Sequence, residues 1–379
     1  MNLQGRQSLP AWRHGVTPST SRAKIIGLRI TSLPASCPRV QTPDNTDVPT
    51  SALPVSRPFE PHEKLVVSLE FTNVCNFKCP FCPQAYEDLP MQPGGSPYDR
   101  KHGFMSRAVF DRAVAECRHV ARIVELGFFG EQTLHPLYLD FMSTLASRPF
   151  QLETNTNVSM VTHDMMRAWI TSKFDLVRLS LDAITPEVFN IARPGPVRSL
   201  TTGKIVPDAD RMSAVNEKVH AWLAMPDHRP TRLVYVNSSY NQGEKQKFID
   251  YWTPFLGPSD HVLIKQVLSY GGKIIDPLIE SHRCNVWDVK YLVIDNTGAT
   301  SPCNLDTNMD LALGSIMEQS VEQLYFGERA QWLKSRTGCG NPLTPCRTCT
   351  DGNNWSKNEK HGRASACATG EQLVQLRVA

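Results

Sequence analysis

The chain has 379 residues, 41% apolar and 20% charged, with a net charge of +3. That is the composition of an ordinary globular protein, and its mixed, near-neutral charge gives no case for nucleic-acid binding. No run approaches the roughly 18 apolar residues that a membrane helix needs, so no membrane partner is expected.

Residues 1–60 hold eight prolines, many Ser and Thr, and little periodic apolar pattern. Such a segment buries too little surface to offset its ordering entropy and is predicted to be disordered. Up to residue 43 it carries six Lys/Arg and no Asp/Glu, a bias also seen in organelle transit peptides. A flexible tail or an over-extended start are the plainer readings.

From residue 61 to 272 strand and helix patterns alternate. Strands are predicted over 65–71, 123–130, 150–157, 176–182, 231–238 and 261–269. Helices are predicted over 106–121, 136–147, 162–172, 211–225 and 243–257, with Ser106 and Thr162 as N-caps. Six strands with five helices between them imply βαβ units and a parallel sheet: a partial (β/α)6 barrel of the α/β class. Ligands in such sheets bind at the carboxyl ends of the strands. Polar sequence collects there: TNVCNFKC, GEQTLHP, TNTN, SLDA and VNSSYN follow or end the first five strands. Residues 273–355 are Cys-rich, with a short strand at 290–295 and a helix over 320–335, and are predicted to form a small second domain. Residues 356–379 form a polar tail.

Eleven cysteines without an apolar signal-peptide core point to a reducing compartment and a cytoplasmic location. There, clustered cysteines are metal ligands more often than disulfides. Cys75, Cys79 and Cys82 follow the first strand. Three is an odd number for disulfides and one too few for a closed zinc site. A cluster that keeps one metal position open explains the count, and a zinc site completed from afar is the alternative. Cys284, Cys303, Cys339, Cys346 and Cys349 form a second group, while Cys37, Cys117 and Cys367 are scattered. Cys117 lies on a helical face with Val114 and Val120 and is read as a buried structural residue.

The motif Cys75-Asn-Phe-Lys-Cys79-Pro-Phe-Cys82, on the loop after the first strand of a repeated β/α pattern, resembles the radical S-adenosylmethionine (radical SAM) superfamily. The resemblance implies that the three thiolates hold a 4Fe–4S cluster whose fourth iron binds the amino and carboxylate groups of SAM. The reduced cluster would cleave SAM to a 5′-deoxyadenosyl radical that abstracts a hydrogen atom. Over residues 65–270 further motifs match. Phe81 corresponds to the aromatic near the adenine. Gly130-Glu131 resembles the GGEP-type motif that receives the SAM ammonium, with Phe129 in place of the first Gly and Gln132 in place of Pro. Asn155 and Asn157 belong to a TN-type motif, and Ser180 and Asp182 stand where the family places groups for the ribose and carboxylate. Arg193-Pro-Gly195 resembles the R-x-G element, and Asn237 at the fifth strand end is a further cofactor-binding candidate.

The second cysteine group resembles the SPASM/twitch extensions of this superfamily. The shorter twitch form implies one auxiliary 4Fe–4S cluster ligated by Cys284, Cys303, Cys346 and Cys349, with structural zinc as the alternative. Cys339 is left over, as a substitute ligand, a hydrogen-atom donor or an idle thiol. The combination is similar to the 2-deoxy-scyllo-inosamine dehydrogenases of antibiotic biosynthesis. It implies oxidation of a carbinol carbon of a sugar or aminocyclitol to a ketone, with electrons delivered by a flavodoxin or ferredoxin. Redox-neutral epimerisation or elimination on a similar substrate, and peptide or protein modification, are the alternatives. Arg283, Tyr235, Lys265, Tyr270 and Cys339 are the candidates for orienting or deprotonating the substrate hydroxyl, or for donating hydrogen.

Overall fold

Six apolar runs become strands in chain order: β1 (Leu65–Leu69), β2 (Ala121–Leu126), β3 (Gln151–Thr156), β4 (Leu176–Ser180), β5 (Thr231–Asn237) and β6 (His261–Gln266). The computed structural model describes residues 59–60, 63–86, 98–280, 284, 286–337, 346 and 349, and the backbone of 372–373. All of them lie in one compact unit, residues 44–379. Residues 1–58 of the segment predicted to be disordered, the polar tail's side chains, and Arg283, Cys339 and Cys367 lie outside the described residues.

Each strand from β1 to β6 pairs in parallel with the next. The connections carry α1 (Arg107–Val120), α2 (Tyr138–Leu145), α3 (His163–Thr171), α4 (Pro186–Ala192), α5 (Arg211–Leu223) and α6 (Lys245–Trp252). This is the mixed α/β partial barrel expected from the alternation. The hydroxyls of Ser106 and Thr162 cap α1 and α3 by accepting from the N–H groups of Val109 and Met165, each at 3.3 Å. Helix α4 was not foreseen. It has seven residues, too few for a periodic apolar signal.

Several strands stop short of their apolar runs. β2 ends at Leu126 because Phe128 and Gly130 take positive φ, and β4 ends at Ser180 ahead of Asp182, whose φ is 59°. Alternation puts Val67, Leu69, Val124, Leu126 and Leu152 under the helices, in a core that includes the Phe110–Phe141 ring pair, with centroids 3.8 Å apart. Cys117 is fully buried in this core. The opposite face carries a separate apolar group of Val66, Ile123, Tyr291 and Val293.

The C-terminal segment supplies α7 (Val286–Val289), β7 (Tyr291–Ile294), β8 (Ala299–Ser301), β9 (Gly314–Ser315), α8 (Val321–Phe326), α9 (Glu328–Arg336) and β10 (Gln372–Leu373). β7 pairs in parallel with β1, so the sheet runs β10-β6-β5-β4-β3-β2-β1-β7-β8-β9. The Cys-rich segment therefore extends the barrel's own sheet. The single helix predicted over 320–335 is two helices, broken where Gly327 becomes extended (φ −70°, ψ 174°).

Candidate active site

The loop from Glu70 to Tyr86 carries Cys75, Cys79 and Cys82 and is tied to three other strand ends. Gln84 donates to the carbonyl of Asn73 at 2.6 Å and accepts from the N–H of Gly130 at 3.1 Å. Asn76 donates to Ser159 Oγ and to Pro196 O, each at 2.8 Å. The N–H of Lys78 donates to Pro194 O at 2.9 Å. Two glycines make these approaches possible. A Cβ on Gly130 (φ +79°) would lie 2.8 Å from Asn73 Cα, and one on Gly195 (φ +152°) would lie 2.9 Å from Phe77 Cα.

All three thiols line one cavity with Phe81, Gly130, Glu131, Asn155, Asn157, Ser180 and Arg193. Burial drives the thiol of Cys75 up to about 12 and raises those of Cys79 and Cys82. Thiols held this way become thiolates only when a metal takes the proton's place. Two side chains aim N–H groups at the sulfurs. Arg193 Nη1 is 3.8 Å from Cys79 Sγ, and Asn157 Nδ2 is 3.9 Å from Cys75 Sγ. Arg193 also ion-pairs with buried Asp182 and lies 5.7 Å over the Phe81 ring, while its buried Nε has no hydrogen-bond partner. Asp182 itself does not line the cavity; it accepts from the N–H of Val236 at 2.5 Å and holds Arg193 in place.

Glu131 accepts from Thr133 N, Thr133 Oγ1 and Thr156 Oγ1 on Oε1, and from Asn157 N at 2.6 Å on Oε2. Only Oε2 retains room for another donor. The two departures from the family pattern have structural roles. Gln132 accepts from Phe71 N at 2.6 Å and so clamps the end of β1, and the Phe129 ring packs against Tyr98 with centroids 5.9 Å apart.

In the second cysteine group the thiols of Cys303 and Cys346 are raised, the latter to about 12, chiefly by burial and further by neighbouring thiols and Asp306. Cys303 feels Cys349 and Cys346, and Cys346 feels Cys349 and exposed Cys284. The four thiols thus lie within electrostatic reach of one another, ahead of α7, after β8 and after α9. Among the described residues, no three His, Cys, Asp or Glu side chains are grouped as a site for a single metal ion.

Residues 69–212 match the model of the radical SAM superfamily, and residues 284–350 match the SPASM iron–sulfur cluster-binding domain. The chain thus carries a radical SAM domain followed by a SPASM domain. A 137-residue stretch is 28% identical to the tungsten-containing aldehyde ferredoxin oxidoreductase cofactor-modifying protein of Pyrococcus furiosus, covering 36% of this chain and 35% of that protein. The match therefore spans about a third of that curated relative. Among solved structures, SuiB of Streptococcus suis bound to precursor peptide SuiA superposes with a TM-score of 0.56 at 11% identity, over 78% of this chain and 73% of that one. BtrN in complex with AdoMet and 2-DOIA superposes with a TM-score of 0.44 at 11% identity, over 72% and 87%.

A radical SAM domain binds SAM and a 4Fe–4S cluster, and a SPASM domain binds auxiliary iron–sulfur clusters. The residues here fit those groups: three thiols, Cys79 buried and Cys75 and Cys82 half-buried, line one cavity, and the guanidinium Nε of Arg193, without a hydrogen-bond partner, suits a carboxylate. Of the remaining sequence candidates, Lys265 and Tyr270 line the cavity. Tyr235 does not. Strand alternation sends its ring to the helix side, against Phe248, where its hydroxyl donates to Asn241 O. Asn237 is also absent from the cavity wall and donates to Gln266 Oε1 at 3.1 Å.

Sequence reasoning missed the charged interior of the radical SAM barrel. Ser68, Glu125 and Glu153 stand side by side on β1, β2 and β3. Arg178 of β4 reaches Glu153 at 2.6 Å and Glu125 at 3.4 Å, and Tyr291 of β7 donates to Glu125 at 2.8 Å. The available signal was a charged residue inside each of the apolar runs IVELGFF, QLETNTN and LVRLSLD. Also unforeseen, Arg100 joins buried Glu70 to Asp295 and so ties β1 to the β7–β8 turn.

Proposed function

We propose that this radical SAM protein oxidises a secondary alcohol of a small polar substrate, a sugar or aminocyclitol, to the ketone. The observation that carries this reading is the cavity: about 280 Å³, reaching from the three cysteines to Ser68, Glu125, Lys265, Gln266, Tyr270 and Tyr291. A few convergent hydrogen-bonding groups in a concave site fix the orientation of a polar ligand, and this density of them suits a polyol. The cysteine spacing of the C-terminal segment, similar to that of alcohol-oxidising members of the superfamily, adds support.

When bound, SAM and the reduced cluster would supply abstraction of the carbinol hydrogen atom, and an auxiliary cluster would supply an acceptor for the one remaining electron. The chain's own groups hold the carbinol carbon toward the cysteine side and take up the hydroxyl proton. Lys265 and Tyr270 on the cavity wall orient the hydroxyls and take up that proton. Cys75, Cys79 and Cys82 hold the first cluster. Arg193 and Glu131 receive the SAM carboxylate and ammonium. Cys284, Cys303, Cys346 and Cys349 hold the auxiliary cluster. An external reductant such as a flavodoxin or ferredoxin completes the cycle.

The test is an anaerobic assay of the reconstituted protein with SAM, reductant and a panel of aminocyclitols and sugars deuterated at the carbinol carbon. The expected result is deuterium in 5′-deoxyadenosine, one equivalent per product, and a product lighter than the deuterated substrate by HD. A product whose only mass change is the replacement of the carbinol deuterium by solvent hydrogen would replace oxidation with epimerisation. Turnover confined to a peptide panel would replace the substrate class.

A further inference from the structure

Lys218 is fully buried, on the apolar face of α5 with Ala214, Val215 and Trp222. An ammonium in such a place needs partners, and it finds them on another element. It donates to the carbonyls of Val158, at 3.2 Å, and of Ser159. Both belong to the turn that follows β3, and that turn is strained. Val158 is β-branched and buried, yet its φ is +67°, a region that favours glycine. Strain of this kind persists only where the surroundings hold it, and it clusters at functional sites. Here the strained turn aims Asn157. The N–H of Asn157 donates to Glu131 Oε2 at 2.6 Å, and its Oδ1 accepts from Ser159 N at 3.0 Å and Ser159 Oγ at 2.5 Å. Its Nδ2 is left facing the cysteine loop, 3.1 Å from Asn76 Oδ1 and 3.9 Å from Cys75 Sγ. Burial lowers the Lys218 ammonium to about 8, with Arg198 adding to the fall and Glu131 and Glu217 opposing it. The group is therefore charged at pH 7, and Glu131 attracts it.

We propose that Lys218 is a positioning residue for SAM binding: from α5 it holds the strained Asn157–Ser159 turn, which fixes Asn157 between Glu131 and the cysteine loop. The other donors to the turn do not tie it to a helix. Val158 O also accepts from Val161 N at 3.2 Å, three residues along the chain, and Ser159 O from Arg198 N at 3.0 Å, in the loop before α5. These bonds keep both carbonyls satisfied when the ammonium is removed, so a Lys218 variant should still fold. Without Lys218 the turn can relax Val158 toward negative φ, which draws Asn157 N away from Glu131. Glu131 then loses its Oε2 partner, and the carboxylate that receives the SAM ammonium is free to turn. The inference rests on Glu131 and the cysteine loop receiving SAM, and not on the reaction being an oxidation.

The test measures equilibrium binding of SAM to the reconstituted protein without reductant, alongside iron content and melting temperature. Lys218→Met keeps the buried aliphatic stem and should bind SAM at least about tenfold more weakly than the parent. Val158→Gly removes the strain, since glycine takes positive φ freely, but it also removes a buried apolar side chain. The double variant Lys218→Met/Val158→Gly should therefore melt no higher than Lys218→Met and yet recover most of the SAM affinity. A merely stabilising role for Lys218 would move affinity and melting temperature in the same direction. Unchanged SAM affinity in Lys218→Met overturns the proposal, and so does a loss that the double variant does not recover. If Lys218→Met unfolds or fails to retain iron, the double variant decides: recovered iron and SAM binding uphold the proposal, and their absence overturns it. Glu131→Gln separates this result from the placement of SAM. If it binds SAM as the parent does, Glu131 is not the partner of the SAM ammonium, while a rescued Lys218→Met still upholds the hold of Lys218 on Asn157.

Discussion

Arg193 links a charge pair to a cysteine thiol: its Nη2 is paired with Asp182 while its Nη1 points at Cys79 Sγ, proposed here as a cluster ligand, from 3.8 Å. Hydrogen bonds to cluster sulfurs favour the more negative, reduced state and raise the reduction potential. Arg193→Lys keeps the charge and loses the fork that serves both partners. The expected outcome is a potential lower by about 60 mV, about tenfold in a one-electron equilibrium, at undiminished iron content. Potentiometric EPR titration without SAM checks it; an unchanged potential would show that this N–H does not reach the cluster.

The two cysteine groups predict separable iron. The parent should reconstitute with about eight irons per chain. The triple variant Cys75→Ala/Cys79→Ala/Cys82→Ala and the pair Cys346→Ala/Cys349→Ala should each keep about four. Iron and sulfide analysis with Mössbauer spectra reads the result. Four irons in the parent and none in the triple variant would make the second group a zinc or structural site.

Gly130 turns the chain where β2 delivers Glu131 to the cysteine loop, and a Cβ there would meet Asn73 Cα at 2.8 Å. Gly130→Ala must adopt positive φ and push the loop back. A loss of about 2 kcal/mol or more in stability is expected, with reduced iron content on reconstitution, read by calorimetry and iron analysis. A variant as stable and as iron-loaded as the parent would contradict this packing.

Glu153 makes stability depend on pH. Burial raises its carboxyl from 4.5 to about 7 in the folded chain. Between those values the folded state binds the proton and the unfolded state does not. The contribution is therefore present at pH 4.5 and is lost as pH rises toward 7, at no more than about 1.4 kcal/mol per pH unit. Glu153→Gln keeps a polar partner for Arg178 and cannot ionise, so its melting temperature should rise relative to the parent across this window. Parallel curves for the two proteins would rule out the shift.

Much of the barrel was legible in the sequence because its signals are local. Apolar runs of strand length, caps such as Ser106 and Thr162, and polar segments at successive strand ends depend only on neighbours along the chain. They give the order of the elements and bring Cys75, Glu131, Asn157 and Arg193 to one end of the sheet. The sequence by itself thus determined the α/β barrel, the position of the cysteine loop and the resemblance to the radical SAM superfamily. Tertiary structure alone decided the far end of the cavity. That β7 would lie beside β1, placing Tyr291 against Glu125 across 166 positions of sequence, follows from sheet pairing. So does the contact of Arg100 with Asp295, 195 positions apart. No local pattern encodes such partners. A charged residue inside an apolar strand can announce its burial, but which charges meet is set by strand order and register, and these exist only once the sheet has formed.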